Sequence, residues 1–146
     1  MKMTWFPRFA WTCLAAMLLP LTRSASAQTL SPSSSAPATS GTVRQISLEE
    51  FDKLRSQTNY TVLDVRSPGE FAAGHVPGAT NISVSASDFA KRIATLDKEK
   101  PCLVHCAAGV RSARAVGTMK RMGFKQIYDF SGGWQEWKKA GKPVEK

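Results

Sequence analysis

Apolar and polar positions along residues 42–146 switch between two rhythms, short runs of strand character and longer stretches with helical spacing. Val43–Ile46 predicts a short first strand. Leu48, Phe51 and Leu54 then share one helical face up to about Ser56. Ser47-Leu48-Glu49-Glu50 is its capping box, in which Ser47 accepts from the Glu50 N–H and Glu50 reaches back. Tyr60–Val65 is a second strand. Ser67–Gly78 holds two prolines and three glycines, which predicts a long structured loop with at most a short helical turn at Glu70-Phe71-Ala72. Thr80–Ser83 is a brief third strand, and Ser87–Leu96 is helical, with Phe89, Ile93 and Leu96 spaced by four and three. Pro101–His105 is an apolar run that reads as a buried strand, and Ser112–Met122 follows as a helix. Gln126–Phe130 is a fifth strand, and Trp134–Ala140 a last helix ended by Gly141 and Pro143. Strands alternating with helices predict an α/β domain with a central, mainly parallel five-stranded sheet flanked by helices.

The residues before this pattern behave differently. Lys2 and Arg8 give a basic start, Phe9–Leu21 is apolar, and Ala25-Ser26-Ala27 supplies the small residues of a cleavage site. Residues 1–27 therefore read as a signal peptide, cut before Gln28. The apolar stretch is short for a bilayer span, which takes about 20 residues. Residues 28–41, rich in Ser, Thr, Ala and Pro, lack the apolar content to pack and read as a flexible tether. The domain is residues 42–146, expected in the periplasm, with secretion as the alternative, and off the membrane once the signal is removed.

Charge changes the picture little. The net charge of +9 falls to +6 when Lys2, Arg8 and Arg23 leave with the signal peptide. The remaining basic residues are scattered rather than interleaved with aromatics, which argues against a nucleic-acid partner and leaves at most a field that steers small anions. Cysteine changes it more. After cleavage Cys102 and Cys106 remain, four residues apart along a strand and so about 13 Å from each other. A disulfide needs Cα atoms within about 7 Å, so the two should not pair, nor share a metal ion. Cys102 is then a small core residue and Cys106 a free thiol in an oxidising compartment, which calls for a function.

That function is written in Cys106-Ala107-Ala108-Gly109-Val110-Arg111-Ser112. A cysteine at a strand's carboxyl end, a tight loop and a helix N-terminus together form an anion-binding nucleophile. Free N–H groups of Ala107 to Ser112 converge there and the helix dipole adds partial positive charge, a setting that favours the reactive thiolate. Arg111 adds a planar set of donors suited to an oxyanion. Gly109 lets the loop curl, and Ser112 is placed to cap the following helix.

Three stretches resemble the rhodanese-like sulfurtransferase family: Asp64–Phe71 with Gly74–Ala79 and Asn81-Ile82, the loop Cys106–Ser112, and Gly132-Gly133-Trp134 with Trp137 and Ala140-Gly141. The resemblance implies a small domain around a parallel sheet. It also implies a reaction in which Cys106 takes a sulfane sulfur from a small anionic donor such as thiosulfate. The resulting persulfide passes that sulfur to cyanide or a thiol. Ala107, Ala108, Gly109, Val110, Arg111 and Ser112 would bind the substrate, with no metal or other cofactor and a monomer as the default. Phosphatases and arsenate reductases of similar fold carry five residues between cysteine and arginine. Here four intervene, a ring better suited to one sulfur atom than to a tetrahedral phosphate. A sulfur carrier or redox-sensing module without turnover is the alternative from another class. The neutral Ala107, Ala108 and Val110 depart from family members that favour thiosulfate and carry charge inside the loop.

Other polar residues read as structural. His105 should point to the opposite face from Cys106 and sit as a hydrogen-bonded core imidazole. His75 is expected to fix its loop, Arg66 and Glu70 to form a salt bridge, Asp64 to anchor backbone, and Trp134 and Trp137 to pack on the sheet.

Overall fold

A computed structural model describes residues 41–146; the expected signal peptide, and the tether up to residue 40, lie outside the described residues. The elements run β1 (Thr42–Gln45), α1 (Leu48–Arg55), β2 (Thr61–Asp64), α2 (Pro68–Ala72), β3 (Thr80–Asn81), α3 (Phe89–Ile93), β4 (Cys102–His105), α4 (Val110–Arg121), β5 (Gln126–Phe130) and α5 (Gly133–Lys139). The five strands form one sheet in the order β1-β5-β4-β2-β3, and every pairing is parallel.

β4 is buried along its whole length, as expected of an interior strand covered on both faces. Alternate residues therefore serve two cores. Cys102, Val104 and Cys106 join Leu63, Val65 and Ile127 on one face, where Phe89 and Ile93 of α3 and Ala115, Val116 and Met119 of α4 cover them. Leu103 joins Val62 and Phe130 on the other, under Leu48 and Phe51 of α1 and Trp137 of α5. Phe51 stacks on Phe130 at 4.6 Å and meets Trp137 edge-on at 5.8 Å. Cys102 and Cys106 are both buried and both free, as the strand spacing requires. No helix among the described residues is long and apolar enough to cross a membrane.

Local chemistry moved several boundaries. Ser47 accepts from the Glu50 N–H at 3.3 Å, but the Glu50 carboxylate pairs with Arg44 instead of closing the box. The complete capping box lies at α2. There the Ser67 side chain accepts from the Glu70 N–H and the Glu70 side chain accepts from the Ser67 N–H, with Pro68 in the first turn. The short helical turn expected at Glu70-Phe71-Ala72 is thus a five-residue helix, Pro68–Ala72, and the rest of Ser67–Gly78 is loop as expected. α3 is shorter than Ser87–Leu96, because Asp88 makes no side-chain cap and the Thr95 hydroxyl bonds back to the Arg92 carbonyl. α4 begins two residues earlier than expected, at Val110, because Gly109 takes the cap position with a φ of 89°.

Candidate active site

Cys106 leaves the carboxyl end of β4, where open parallel sheets present ligand sites. Only Ala107, Ala108 and Gly109 separate it from α4. The Gly109 N–H donates to Cys106 Sγ at 3.2 Å. The Gly109 carbonyl accepts from the Ser112 hydroxyl at 2.9 Å and from the Ala113 N–H at 3.0 Å. Gly109 is thus held on both sides, with one donor aimed at the sulfur. Its left-handed backbone and a Ser131 carbonyl 3.0 Å from any added Cβ leave room for glycine alone.

The other wall is α5. Its first N–H groups have no partners within the helix, and two of them take the loop's carbonyls. Trp134 N–H donates to Cys106 O at 2.8 Å and Gln135 N–H to Ala107 O at 3.1 Å. Because a trans peptide sets N–H opposite C=O, tying these carbonyls to α5 turns the Ala107 and Ala108 N–H groups away from it. The approach is close enough that Gly133, at φ 57°, is required: a Cβ there would stand 2.4 Å from Cys106 O. The motif Gly132-Gly133-Trp134 therefore holds the Cys106 loop as well as closing the fold.

The charged residues pair differently from the sequence expectation. Glu70 does not bridge to Arg66. It receives Arg111 in a two-pronged pair, Nη1 to Oε2 at 2.6 Å and Nη2 to Oε1 at 2.8 Å. The Arg111 guanidinium, followed by the bonds from Ser67, holds the Glu70 carboxyl well below the usual carboxylate range, and Glu70 in turn raises Arg111. The same carboxylate thus caps α2 and fastens the loop to it. Arg66 is buried and pairs with Asp64, Nη2 to Oδ2 at 2.6 Å, while its Nη2 also donates to Gly74 O at 2.8 Å. Its guanidinium lies over the Trp134 ring at 4.6 Å. Asp64 Oδ1 also accepts the Arg66 N–H at 2.9 Å, the backbone anchor expected of it.

The histidines stand apart from the thiol. His105 packs edge-on against Phe51 on the face opposite Cys106, and burial holds its imidazole below the usual value despite Asp64 nearby. Its Nδ1 is 3.4 Å from Cys106 O, but Nε2 is buried without a partner, so the expected hydrogen-bonded core imidazole is half satisfied. His75 stacks on Phe71 at 3.7 Å, with Nδ1 3.0 Å from Phe71 O, and so fixes its loop. Trp137 is buried between α1 and the sheet, while the half-buried Trp134 faces Arg66.

Around the sulfur the predicted residues divide. Cys106 is 1% exposed, Ser112 is buried with its hydroxyl on Gly109 O, and Val110 stands 83% exposed at the rim beside exposed Ala108. Ser112 lies inside the first turn of α4 and does not cap it. Sequence reasoning missed two features near the site: Glu70 as the partner of Arg111, and Asp129, a buried carboxyl on β5. Their signals were the S-x-x-E spacing at Ser67 and a charge inside the apolar run Ile127–Phe130.

Sheet order and loop together define a small parallel α/β domain with one buried, donor-facing cysteine at the head of a helix. The family model of the rhodanese-like domain matches residues 47–140, and the chain belongs to that family. Thiosulfate sulfurtransferase GlpE of Pseudomonas putida is 35% identical over 103 residues, 70% of this chain and 90% of that protein. Uncharacterized protein YqhL of Bacillus subtilis is 38% identical over 76 residues, 52% of this chain, and the match spans only 59% of that protein. Among solved structures, a rhodanese-related protein from Thermoplasma volcanium superposes with a TM-score of 0.62 at 35% identity, covering 70% of this chain and 97% of that one.

Proposed function

We propose that the domain is a sulfurtransferase that works through a Cys106 persulfide. The observation that carries this is the Gly109 N–H 3.2 Å from Sγ, in a loop with four residues between cysteine and Arg111. A donor N–H on the sulfur stabilises negative charge there, both on the thiolate and on the persulfide that replaces it. The Cys106 thiolate attacks the outer sulfur of thiosulfate; the S–S bond breaks and sulfite leaves with its electron pair. Cyanide or a thiolate then attacks the outer sulfur of the persulfide and returns Cys106 to thiolate. Neither step needs a proton, which fits a site whose two histidines lie away from the thiol. Similarity to GlpE, named a thiosulfate sulfurtransferase, supports the donor class. The Ser/Pro-rich tether and the basic, apolar N-terminus support an exported protein.

The test is thiocyanate formation from thiosulfate and cyanide by the chain from Gln28 onward, with Cys106→Ala beside it. Turnover that disappears in the variant supports the reading. No turnover by the reduced wild type, with a persulfide still visible by mass spectrometry, moves the assignment to a sulfur carrier. A periplasmic product whose intact mass does not begin at Gln28 overturns the proposed cleavage.

A further inference from the structure

The fold gathers onto one face basic residues that lie scattered along the sequence. α3 and α4 cover the same side of the sheet, and between them they hold six cations and no carboxylate. Arg111 is paired with Glu70. The other five, Lys91, Arg92, Arg114, Lys120 and Arg121, are exposed, and among the described residues none of them forms an ion pair. Arg92, Arg114 and Arg121 reach only neutral oxygens: Asn81 O at 3.1 Å, Val84 O at 3.5 Å and Thr118 Oγ1 at 3.1 Å. The opposite side of the sheet differs. α1 mixes both signs, Arg44 pairs with Glu50, and Arg55 and Lys142 pair with Asp52.

Helix dipoles account for part of this placement, since Lys91, Arg92, Lys120 and Arg121 stand in last turns, where positive charge is favourable. Arg114 gains nothing there. It stands one turn after Val110, which is 83% exposed at the rim of the Cys106 loop. Val110, Arg114, Thr118 and Arg121 follow one another at spacings of four, four and three, and so share one ridge of α4. At 1.5 Å per residue the ridge runs about 16 Å from the mouth of the site, the length of about five residues of extended chain. A small anionic donor occupies the mouth alone, so cations at that distance serve something longer. On α3 and α4 the one exposed large apolar side chain is Val110, which leaves no wedge for a bilayer and no aromatic ring to stack on a base.

We propose that the α3/α4 face docks an acidic polypeptide segment that carries the acceptor thiol. Its carboxylates lie along Arg114, Arg121 and Lys91, and its thiol enters past Val110 to the sulfur on Cys106. The inference rests on the proposed function, in which a thiol takes that sulfur. Charge complementarity then sets the encounter rate and the choice of partner, while the loop performs the transfer.

The experiment compares alkylation of Cys106, located by mass spectrometry, by two short peptides bearing an iodoacetyl group, one rich in glutamate and the other with glutamine in its place. The thiolate displaces iodide from either, so docking is read whether or not thiosulfate turns over. In about 10 mM salt the wild type should react at least about fivefold faster with the glutamate peptide, and the ratio should fall towards one in about 1 M salt. Lys91→Glu, Arg114→Glu and Arg121→Glu together should bring the low-salt ratio to one or below. Lys53→Glu, Lys139→Glu and Lys146→Glu change the net charge equally on exposed residues outside this face, and should leave most of the preference. Equal losses in the two triple variants overturn the proposal, because net charge alone would then act. A wild-type ratio of one in low salt also overturns it. So does sedimentation with phosphatidylglycerol vesicles that the α3/α4 reversal abolishes while the two peptides react alike, which would assign the face to a membrane. A chain that makes no thiocyanate yet shows the face-dependent ratio loses the sulfur-transfer reading and keeps the docking face. Should the reversed variant fail to fold, glutamine at the same three positions replaces it, and an undiminished ratio overturns the proposal.

Discussion

At Gly133 a methyl group would stand 2.4 Å from Cys106 O and 2.9 Å from Ala107 O, at a φ of 57° that side chains rarely adopt. At Gly132, φ is −61° and the nearest obstacle is the movable Glu136 side chain. Gly133→Ala is therefore expected to cost about 1–3 kcal/mol and to lower sulfur transfer at least tenfold. Gly132→Ala should be close to neutral in both, and thermal melts with the thiosulfate assay check the pair. Arg111 offers a second contrast. If it acts by fastening the loop to Glu70, Glu70→Gln and Arg111→Lys should lower kcat by similar factors, on the order of tenfold, with small changes in melting temperature because the pair is partly exposed. A raised KM in Arg111→Lys with Glu70→Gln unaffected would instead assign Arg111 to the donor. Since Arg111 holds Glu70 below the usual carboxylate range, the pair contributes fully above about pH 4.5 and is lost only in stronger acid. Cys106 was legible as a residue because its surroundings are local: strand, loop and helix follow one another. Arg111 and Glu70 are 41 residues apart, so nothing in the spacing joined them, whereas Arg66 stood near Glu70 and drew the pairing. Arg66 goes to Asp64 because both side chains are buried together at the end of β2.

Among the elements, the five strands and their parallel arrangement were readable: β4 as a buried apolar run, the others as short extended stretches set off by turn residues and alternating with helices. The ends were less so, because caps decide them and caps depend on one hydrogen bond. α2 shows this best. Glycine and proline density masked the Ser67–Glu70 box, although proline suits a helix's first turn. Ser67→Ala removes the cap and a 2.7 Å hydroxyl contact with Glu70, and should cost about 1 kcal/mol in urea unfolding. Because Glu70 also holds Arg111, the same substitution should slow sulfur transfer, which a cap without that second duty would leave alone. On the far side, the element that escaped notice was α5 as a wall of the site. Its motif reads as packing, and only the fold reveals that two of its free N–H groups, those of Trp134 and Gln135, take the loop carbonyls.

For the molecule as a whole, His105 sets a pH dependence of stability. Its folded imidazole is held below the ordinary value of 6.5, chiefly by burial, so below that pH the unfolded chain binds a proton the folded one resists. Stability should fall as pH drops under about 6.5, by at most about 1.4 kcal/mol per pH unit. Asp129 runs the opposite way: its raised carboxyl favours the fold in acid and loses that advantage as pH rises through its titration. The difference between wild type and His105→Gln in urea titrations isolates the first contribution, which should appear only under pH 6.5. The sheet order carries one more consequence. β5 is the last strand in the chain yet an interior one in the sheet, between β1 and β4. Until residues 126–130 have been synthesised, β1 has no neighbour to pair with, and α5 follows later still. A nascent chain that has not yet exposed α5 holds a Cys106 without the helix that ties its loop carbonyls. The thiol acquires its setting only once residues 133–139 have been made and docked, so its reactivity is expected to lag behind the synthesis of β4.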